Sequence, residues 1–246
     1  MSFASDLKVI YHLAFKPVGG DNHAQRMESF YSGQADAYDS FRKRLLQGRE
    51  SLYEQVGIPD DGVWVDLGGG TGSNLEYLGD GIRRLKKVYV VDLAGSLLKV
   101  ATERAKARGW NNVEAVEADA TTFVPAEGAA DVVTCSYSLT MIPDWFAAID
   151  QARTMLRPGG KLGVVDFYVS RKHPGGDLRK HGWPTRLGWP AWFGMDNVFP
   201  SADHIPYLQR RFETEHLLED RAKVPYMPLV RTPYYSFIGR KPETAE

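Results

Sequence analysis

Between residues 61 and 170, five short β-rich runs alternate with helical runs, and this rhythm narrows the fold more than any other feature of the chain. Val63-Trp64-Val65-Asp66-Leu67 opens the series and ends in glycines, and Asn74-Leu75-Glu76-Tyr77-Leu78 begins a helix. Lys87-Val88-Tyr89-Val90-Val91-Asp92 reads as the second strand, followed by a helix over 96–108 that Gly109 stops. Residues 113–118 and 130–135 give the third and fourth strands, and 145–156 a further helix. The turn Arg157-Pro158-Gly159-Gly160 sets up the fifth strand, 161–167. Strands alternating with helices call for a mostly parallel sheet covered on both faces. Ligands of such sheets bind beyond the carboxyl ends of the strands. Residues 207–246 read as a terminal pair of strands, residues 1–60 as an N-terminal helical cap, and residues 171–206, rich in Gly, Pro, Trp and His, as a substrate-side loop region. The expected architecture is a single α/β domain over 1–246, with a doubly wound, mostly parallel, seven-stranded sheet and N-terminal helices.

Asp66-Leu67-Gly68-Gly69-Gly70-Thr71-Gly72 stands where the first strand gives way to a helix. Glycines there permit a tight turn and a close approach of ligand to backbone. Asp92 ends the next strand about 20 residues later, where an acid can bind a ribose diol. A dehydrogenase fingerprint would need a glycine at the place of Ser73, and no Gly-Lys-Ser/Thr follows to make a phosphate loop. The observed spacing, Asp66, Gly68, Gly70, Gly72, then Asp92, resembles the first motifs of class I S-adenosylmethionine-dependent methyltransferases. Glu117-Ala118-Asp119-Ala120, the run from Asp131 to Leu139 and Leu156-Arg157-Pro158-Gly159-Gly160 resemble later motifs of that family in the same order.

That resemblance implies a Rossmann-like fold and S-adenosyl-L-methionine as cofactor. It implies that Asp66 helps position the amino-acid part, Asp92 binds the ribose hydroxyls and Asp119 meets the adenine amine. Leu93, Ala120 and Ser136 complete the implied cofactor set, and the end of the fourth strand, at Tyr137, faces the methyl group.

Composition limits the alternatives. A formal net charge of -1 does not indicate nucleic acid as a partner. The single cysteine, Cys135, excludes an internal disulfide and a cysteine-based zinc site. His173, His181 and His204 lack a tight ligand spacing and read as solvated or hydrogen-bonded, so no metal is expected. No run approaches the ~18 apolar residues of a spanning helix, and no signal-peptide pattern opens the chain. The expected location is cytoplasmic, with room for peripheral membrane contact.

Segments outside the cofactor motifs are more distinctive. Leu7-Lys8-Val9-Ile10-Tyr11-His12-Leu13, Glu28-Ser29-Phe30-Tyr31-Ser32-Gly33-Gln34-Ala35-Asp36-Ala37-Tyr38-Asp39, the run from Arg42 to Glu50, and Val224-Pro225-Tyr226-Met227-Pro228-Leu229-Val230-Arg231-Thr232-Pro233-Tyr234-Tyr235 resemble the methyltransferase half of betaine-lipid synthases. The resemblance implies successive N-methylation of diacylglyceryl-homoserine to the trimethylated betaine lipid. The half that attaches the aminocarboxypropyl group is not seen here, which implies a separate transferase partner. Tyr137 is a candidate for aligning the amine, and Tyr31 and Tyr38 for covering the cofactor or facing the cationic head through cation–π contact. Arg231 is a candidate for the homoserine carboxylate.

Phe3, Leu7, Ile10, Tyr11 and Ala14 recur at helical spacing, as on an amphipathic helix that packs on the domain or touches a membrane. Trp183, Trp189, Trp192, Phe193 and Phe199 suit a membrane interface, a lid over an apolar substrate, or equally a loop folded over the sheet edge. The basic run Arg42, Lys43, Arg44 and Arg49 reads as a solvated helix face. Two rivals remain: a C- or O-methyltransferase of a quinone or other small molecule, and a non-catalytic module that only binds the cofactor.

Overall fold

The computed structural model describes residues 45–195, 197–225 and 227–243. Helix α1 (Arg49–Val56) precedes β1 (Val63–Leu67), a 3₁₀ segment (Ser73–Arg84), β2 (Lys87–Asp92), α2 (Gly95–Arg108) and β3 (Val113–Glu117). Then come β4 (Ala130–Ser136), a 3₁₀ turn (Leu139–Met141), α3 (Trp145–Met155), β5 (Leu156–Phe167), α4 (Trp183–Gly194) and α5 (His204–Arg211). The chain closes with β6 (Glu213–Val224) and β7 (Met227–Arg240).

The seven strands form one sheet in the order β3-β2-β1-β4-β5-β7-β6. β1 to β5 pair in parallel, β7 runs antiparallel to β5, and β6 antiparallel to β7. The order reverses between β1 and β4, which opens a crevice at their carboxyl ends. Every residue of β1 and of β4 is buried, as expected of strands covered on both faces. Val63, Val65 and Leu67 of β1 face a core layer shared with Ala148, Ile149 and Leu208. Trp64 faces the opposite layer with Leu52, Tyr53, Leu75 and Ala101. The doubly wound α/β fold expected from the strand–helix rhythm is the fold observed.

Local departures have physical reasons. The helix expected from Asn74 is a 3₁₀ segment broken at Gly79 (φ 53°, ψ -138°), because Gly79-Asp80-Gly81 cannot sustain α geometry. The turn expected at 157–160 is absorbed into the start of β5, where the β4–β5 register shifts between Ala130 and Val132. The stretch 171–206, read as a loop region, contains α4 and the start of α5. Pro184 occupies the first turn of α4, where a proline is tolerated. Arg49 does not lie on a solvated face. It is 6% exposed, its Nε–H donates to the Leu46 carbonyl, and its Nη1–H donates to Asn74 Oδ1 at 3.0 Å. The Arg42–Arg44 part of that run and the helix expected over 3–15 lie outside the described residues.

Candidate active site

A cavity of about 200 Å³ opens at the carboxyl ends of β1, β2 and β4, lined from Gly68 and Gly70 across to Met141 and Asp144. Its floor is the glycine turn after β1. Gly68, Gly70 and Gly72 all have left-handed backbones (φ 66°, 56° and 66°), which favour glycine. Their surroundings differ. A Cβ on Gly68 would lie 2.4 Å from Ser138 Cβ, so that glycine is demanded by the protein's own packing. A Cβ on Gly70 would meet only Leu97 and Asp92 at 3.6 Å or more, and Gly70 lines the cavity, so the space beside it is left for a ligand. Gly72 lies outside the lining, and a Cβ there would sit 3.4 Å from Ala101 Cβ.

Asp92 is oriented by backbone. Its Oδ2 accepts the Gly70 N–H at 3.0 Å and its Oδ1 the Ala94 N–H at 2.9 Å. One carboxylate therefore ties the glycine turn to the start of α2 while facing the cavity. Asp119, at the end of β3, accepts the Thr121 N–H at 2.8 Å and its hydroxyl at 2.7 Å through Oδ1. Leu93, Asp119 and Ala120 line the same cavity, as do Val91 and Leu97. Two acids on adjacent turns, a side-chain-free approach at Gly70 and an apolar slot between them fit a ribose carrying a flat base.

Asp66 lies beneath the turn and outside the cavity lining. Its Oδ1 accepts the hydroxyls of Tyr53 and Thr134, each at 2.7 Å, and the Trp64 indole N–H donates to Thr134 Oγ1 at 3.0 Å. Burial pushes the Asp66 carboxyl up to about 6, held back by hydrogen bonds from Thr134, Tyr53 and Asn74. Tyr53 and Thr134 escaped the sequence reading because one sits on a helix and the other mid-strand, with no motif to mark either.

The far end of the cavity is aromatic and apolar. Tyr137 follows β4 in a left-handed conformation (φ 53°), an outlier for a bulky residue that costs about 1–3 kcal/mol. Its hydroxyl donates to the Gln47 carbonyl at 2.6 Å, and its ring meets Phe167 edge-on at 4.7 Å between centroids. Phe167 stacks on Phe193 at 4.6 Å, and Phe193 on Trp189 at 5.4 Å. Ser138, Met141 and Ile142 continue the wall. Asp166 anchors that wall from below. It accepts the Thr140 hydroxyl at 2.7 Å and N–H at 3.1 Å, and the Phe167 N–H at 2.8 Å. Burial pushes its carboxyl up to about 7 despite these bonds.

Of the remaining residues singled out from sequence, Ser136 is buried at the end of β4 outside the cavity lining. Arg231 is exposed on the part of β7 that overhangs the carboxyl end of β5, paired in register with Lys223, and does not line the cavity. Tyr31 and Tyr38 lie outside the described residues. His181 accepts the Ser170 N–H through Nδ1, and burial lowers His204 to about 3. Among the described residues no three His, Cys, Asp or Glu side chains come together as metal ligands, and no helix is long and apolar enough to cross a membrane.

Comparison with known proteins agrees with this geometry. Residues 65–160 match the family model described as a methyltransferase domain. The chain is 29% identical over 169 residues to the ubiquinone/menaquinone biosynthesis C-methyltransferase UbiE of Pseudomonas fluorescens, a match spanning 66% of this chain and 66% of that protein, just under two thirds of its length. The N-methyltransferase NodS of Bradyrhizobium japonicum, solved with S-adenosyl-L-homocysteine, superposes with a TM-score of 0.58 at 16% identity, covering 84% of this chain and 98% of that one. A SAM-dependent methyltransferase from Aquifex aeolicus gives 0.57 at 17%, covering 81% and 92%. The crevice, its paired acids and the matched family model agree that residues 65–160 form an S-adenosylmethionine-dependent methyltransferase domain.

Proposed function

We propose that this methyltransferase acts on the amino nitrogen of a membrane-lipid head group, and that its acceptor is diacylglyceryl-homoserine, carried to the trimethylated betaine lipid. The observation that carries the reading is the aromatic wall at the far end of the cavity, Tyr137 backed by Phe167 and Phe193. The resemblance of the segments 7–13, 28–50 and 224–235 to betaine-lipid synthases supports it.

S-adenosylmethionine supplies an electrophilic methyl group on a sulfonium. Asp92 would accept hydrogen bonds from the ribose hydroxyls, Gly70 leaves room for the sugar, and Asp119 and Ala120 would meet the base. Leu93 packs beside the ribose, and Asp66 holds the shape of the turn from beneath. The acceptor nitrogen would give its proton to water before each transfer and bond to the methyl carbon as the carbon–sulfur bond breaks, releasing S-adenosylhomocysteine, while the Tyr137 face would stabilise the positive charge that moves onto it. Tyr137 contributes its ring rather than its hydroxyl, since the hydroxyl is committed to the Gln47 carbonyl. Arg231, overhanging the same edge of the sheet, meets the homoserine carboxylate. A separate aminocarboxypropyl-transferase makes the acceptor.

The relative from Pseudomonas fluorescens favours a second reading, C-methylation of a quinone. Incubating the protein with S-adenosylmethionine and either diacylglyceryl-homoserine or a demethylated quinone separates the two. Mass spectrometry should show the homoserine lipid gaining one, two and three methyl groups. An unmodified homoserine lipid beside a methylated quinone sinks the N-methylation reading.

A further inference from the structure

A soluble helix ordinarily buries an apolar stripe and exposes a polar one. Helix α4 buries one aromatic ring and leaves most of its apolar surface exposed. Among its residues only Phe193 is buried, while Trp183 is 72% exposed, Leu187 64% and Trp192 50%. Met195 and Phe199, just beyond it, extend the exposed apolar surface. A contiguous apolar patch of this kind marks an interaction surface. Two further observations say what covers it.

The first is charge. Between residues 171 and 186 stand Arg171, Lys172, Arg179, Lys180 and Arg186 against the single acid Asp177. Arg171 is paired with Asp203, and Lys172, Arg179 and Lys180 are exposed. A cationic loop leading into a helix of exposed tryptophans suits the interface of an anionic bilayer. The second is continuity with the cavity. Trp192 meets Trp189 at 6.4 Å, and Trp189, Phe193, Phe167 and Tyr137 follow in unbroken ring contact to the cavity wall. The Phe199 N–H also donates to the Thr140 carbonyl at 2.7 Å, which seats the patch against the turn carrying Met141.

We infer that α4 docks the enzyme on the surface of an anionic phospholipid bilayer, with Trp183, Leu187 and Trp192 entering the interface and Lys172, Arg179 and Lys180 meeting the lipid phosphates. The 12 residues of α4 lie in the interface and do not span it. The inference rests on the lipid reading of the acceptor for its purpose, and on the surface of α4 for its evidence.

Flotation of the full chain with phosphatidylcholine vesicles containing about one third phosphatidylglycerol tests it. The native protein should float with these vesicles, several-fold less with pure phosphatidylcholine, and less at high salt. W183S/L187S and R179E/K180E should each lower the bound fraction about fivefold or more. Both should keep native affinity for S-adenosylhomocysteine and native turnover of a short-chain, water-dispersed diacylglyceryl-homoserine. No flotation of the native protein, or flotation unchanged in W183S/L187S, overturns the docking inference. So does a self-association, seen by analytical ultracentrifugation, that W183S/L187S abolishes in a protein that ignores vesicles. If vesicles are ignored while the short-chain acceptor is methylated, docking alone fails. If vesicles bind while that acceptor stays unmodified, the head-group reading alone fails.

Discussion

The two ends of the cavity are built from different materials. At the cofactor end, both acids are oriented before any ligand arrives: Asp92 by the Gly70 and Ala94 N–H groups, Asp119 by Thr121. At the far end one ring, Tyr137, lines the wall, backed by Phe167, Phe193 and Trp189 and supported by the Gln47 carbonyl and by Asp166 behind it. Fixed hydrogen-bond geometry selects one ligand closely. A ring face accepts a cationic head with little discrimination, which is what the proposed lipid acceptor would need as it gains methyl groups. The two ends should therefore be separable by mutation.

The severest break is Gly70→Val. A β-branched residue is forced into a left-handed backbone, and its side chain projects into the ligand's space. Calorimetry with S-adenosylhomocysteine should show no measurable binding in a protein whose far-ultraviolet circular dichroism is native. Native affinity would move the cofactor away from the glycine turn. Asp92→Ala comes next. It removes the acceptor of two backbone N–H groups and, on the proposed reading, of the ribose hydroxyls, at about 1.5–3 kcal/mol per charged hydrogen bond. Affinity should fall roughly 10- to 150-fold, and a change under threefold would take Asp92 out of the site.

Asp166→Asn crosses to the other end. An amide cannot accept from all three donors that meet the carboxylate, so the Thr140 turn loosens. Turnover should fall about tenfold, with S-adenosylhomocysteine affinity nearly unchanged. A loss of cofactor affinity equal to the loss of turnover would show that the two ends are not separable. The same variant carries a pH signature. Burial holds the carboxyls of Asp166 at about 7 and Asp66 at about 6, both above the ordinary 3.8. Between these limits the native state keeps protons that the unfolded chain has released. The contribution of the pair is complete below about pH 4 and is lost as pH rises through 6 and 7. Tm should drop less between pH 5.5 and 8 in D166N than in the native protein, and equal slopes would contradict the assignment. The mildest change, Phe193→Leu, shortens the ring run by one member. We expect a several-fold rise in acceptor KM and a small stability loss of roughly 1 kcal/mol. An unaltered KM would reduce the run to plain core.

The sheet was legible because β1 and β4, buried on both faces, are short runs rich in valine and other β-formers, and because glycines mark where β1 stops. Gly70, Asp92, Leu93, Asp119 and Ala120 do meet around one cavity, since each stands at or just past a strand end. The rest depends on contacts between distant segments. Leu97, Met141 and Ile142 are ordinary apolar residues until the chain folds them around the opening. Arg49 looked solvated beside other cations, yet Asn74, 25 residues away, draws it inward. α4 was hidden by its own prolines and glycines, which mark loops on average but here stand in the first turn and interior of a helix.

Gly68 has one consequence for anyone who would redesign this enzyme. The turn after β1 and the turn after β4 are so close that a single methyl group on Gly68 would strike Ser138. Ser138 also locks back onto β1, its hydroxyl donating to the Leu67 carbonyl at 2.9 Å. Enlarging the side chain at 138 to retune acceptor choice would thus press first on the cofactor's own turn. Acceptor range can be broadened with less interference from α4 and Phe193, on the side away from that shared wall.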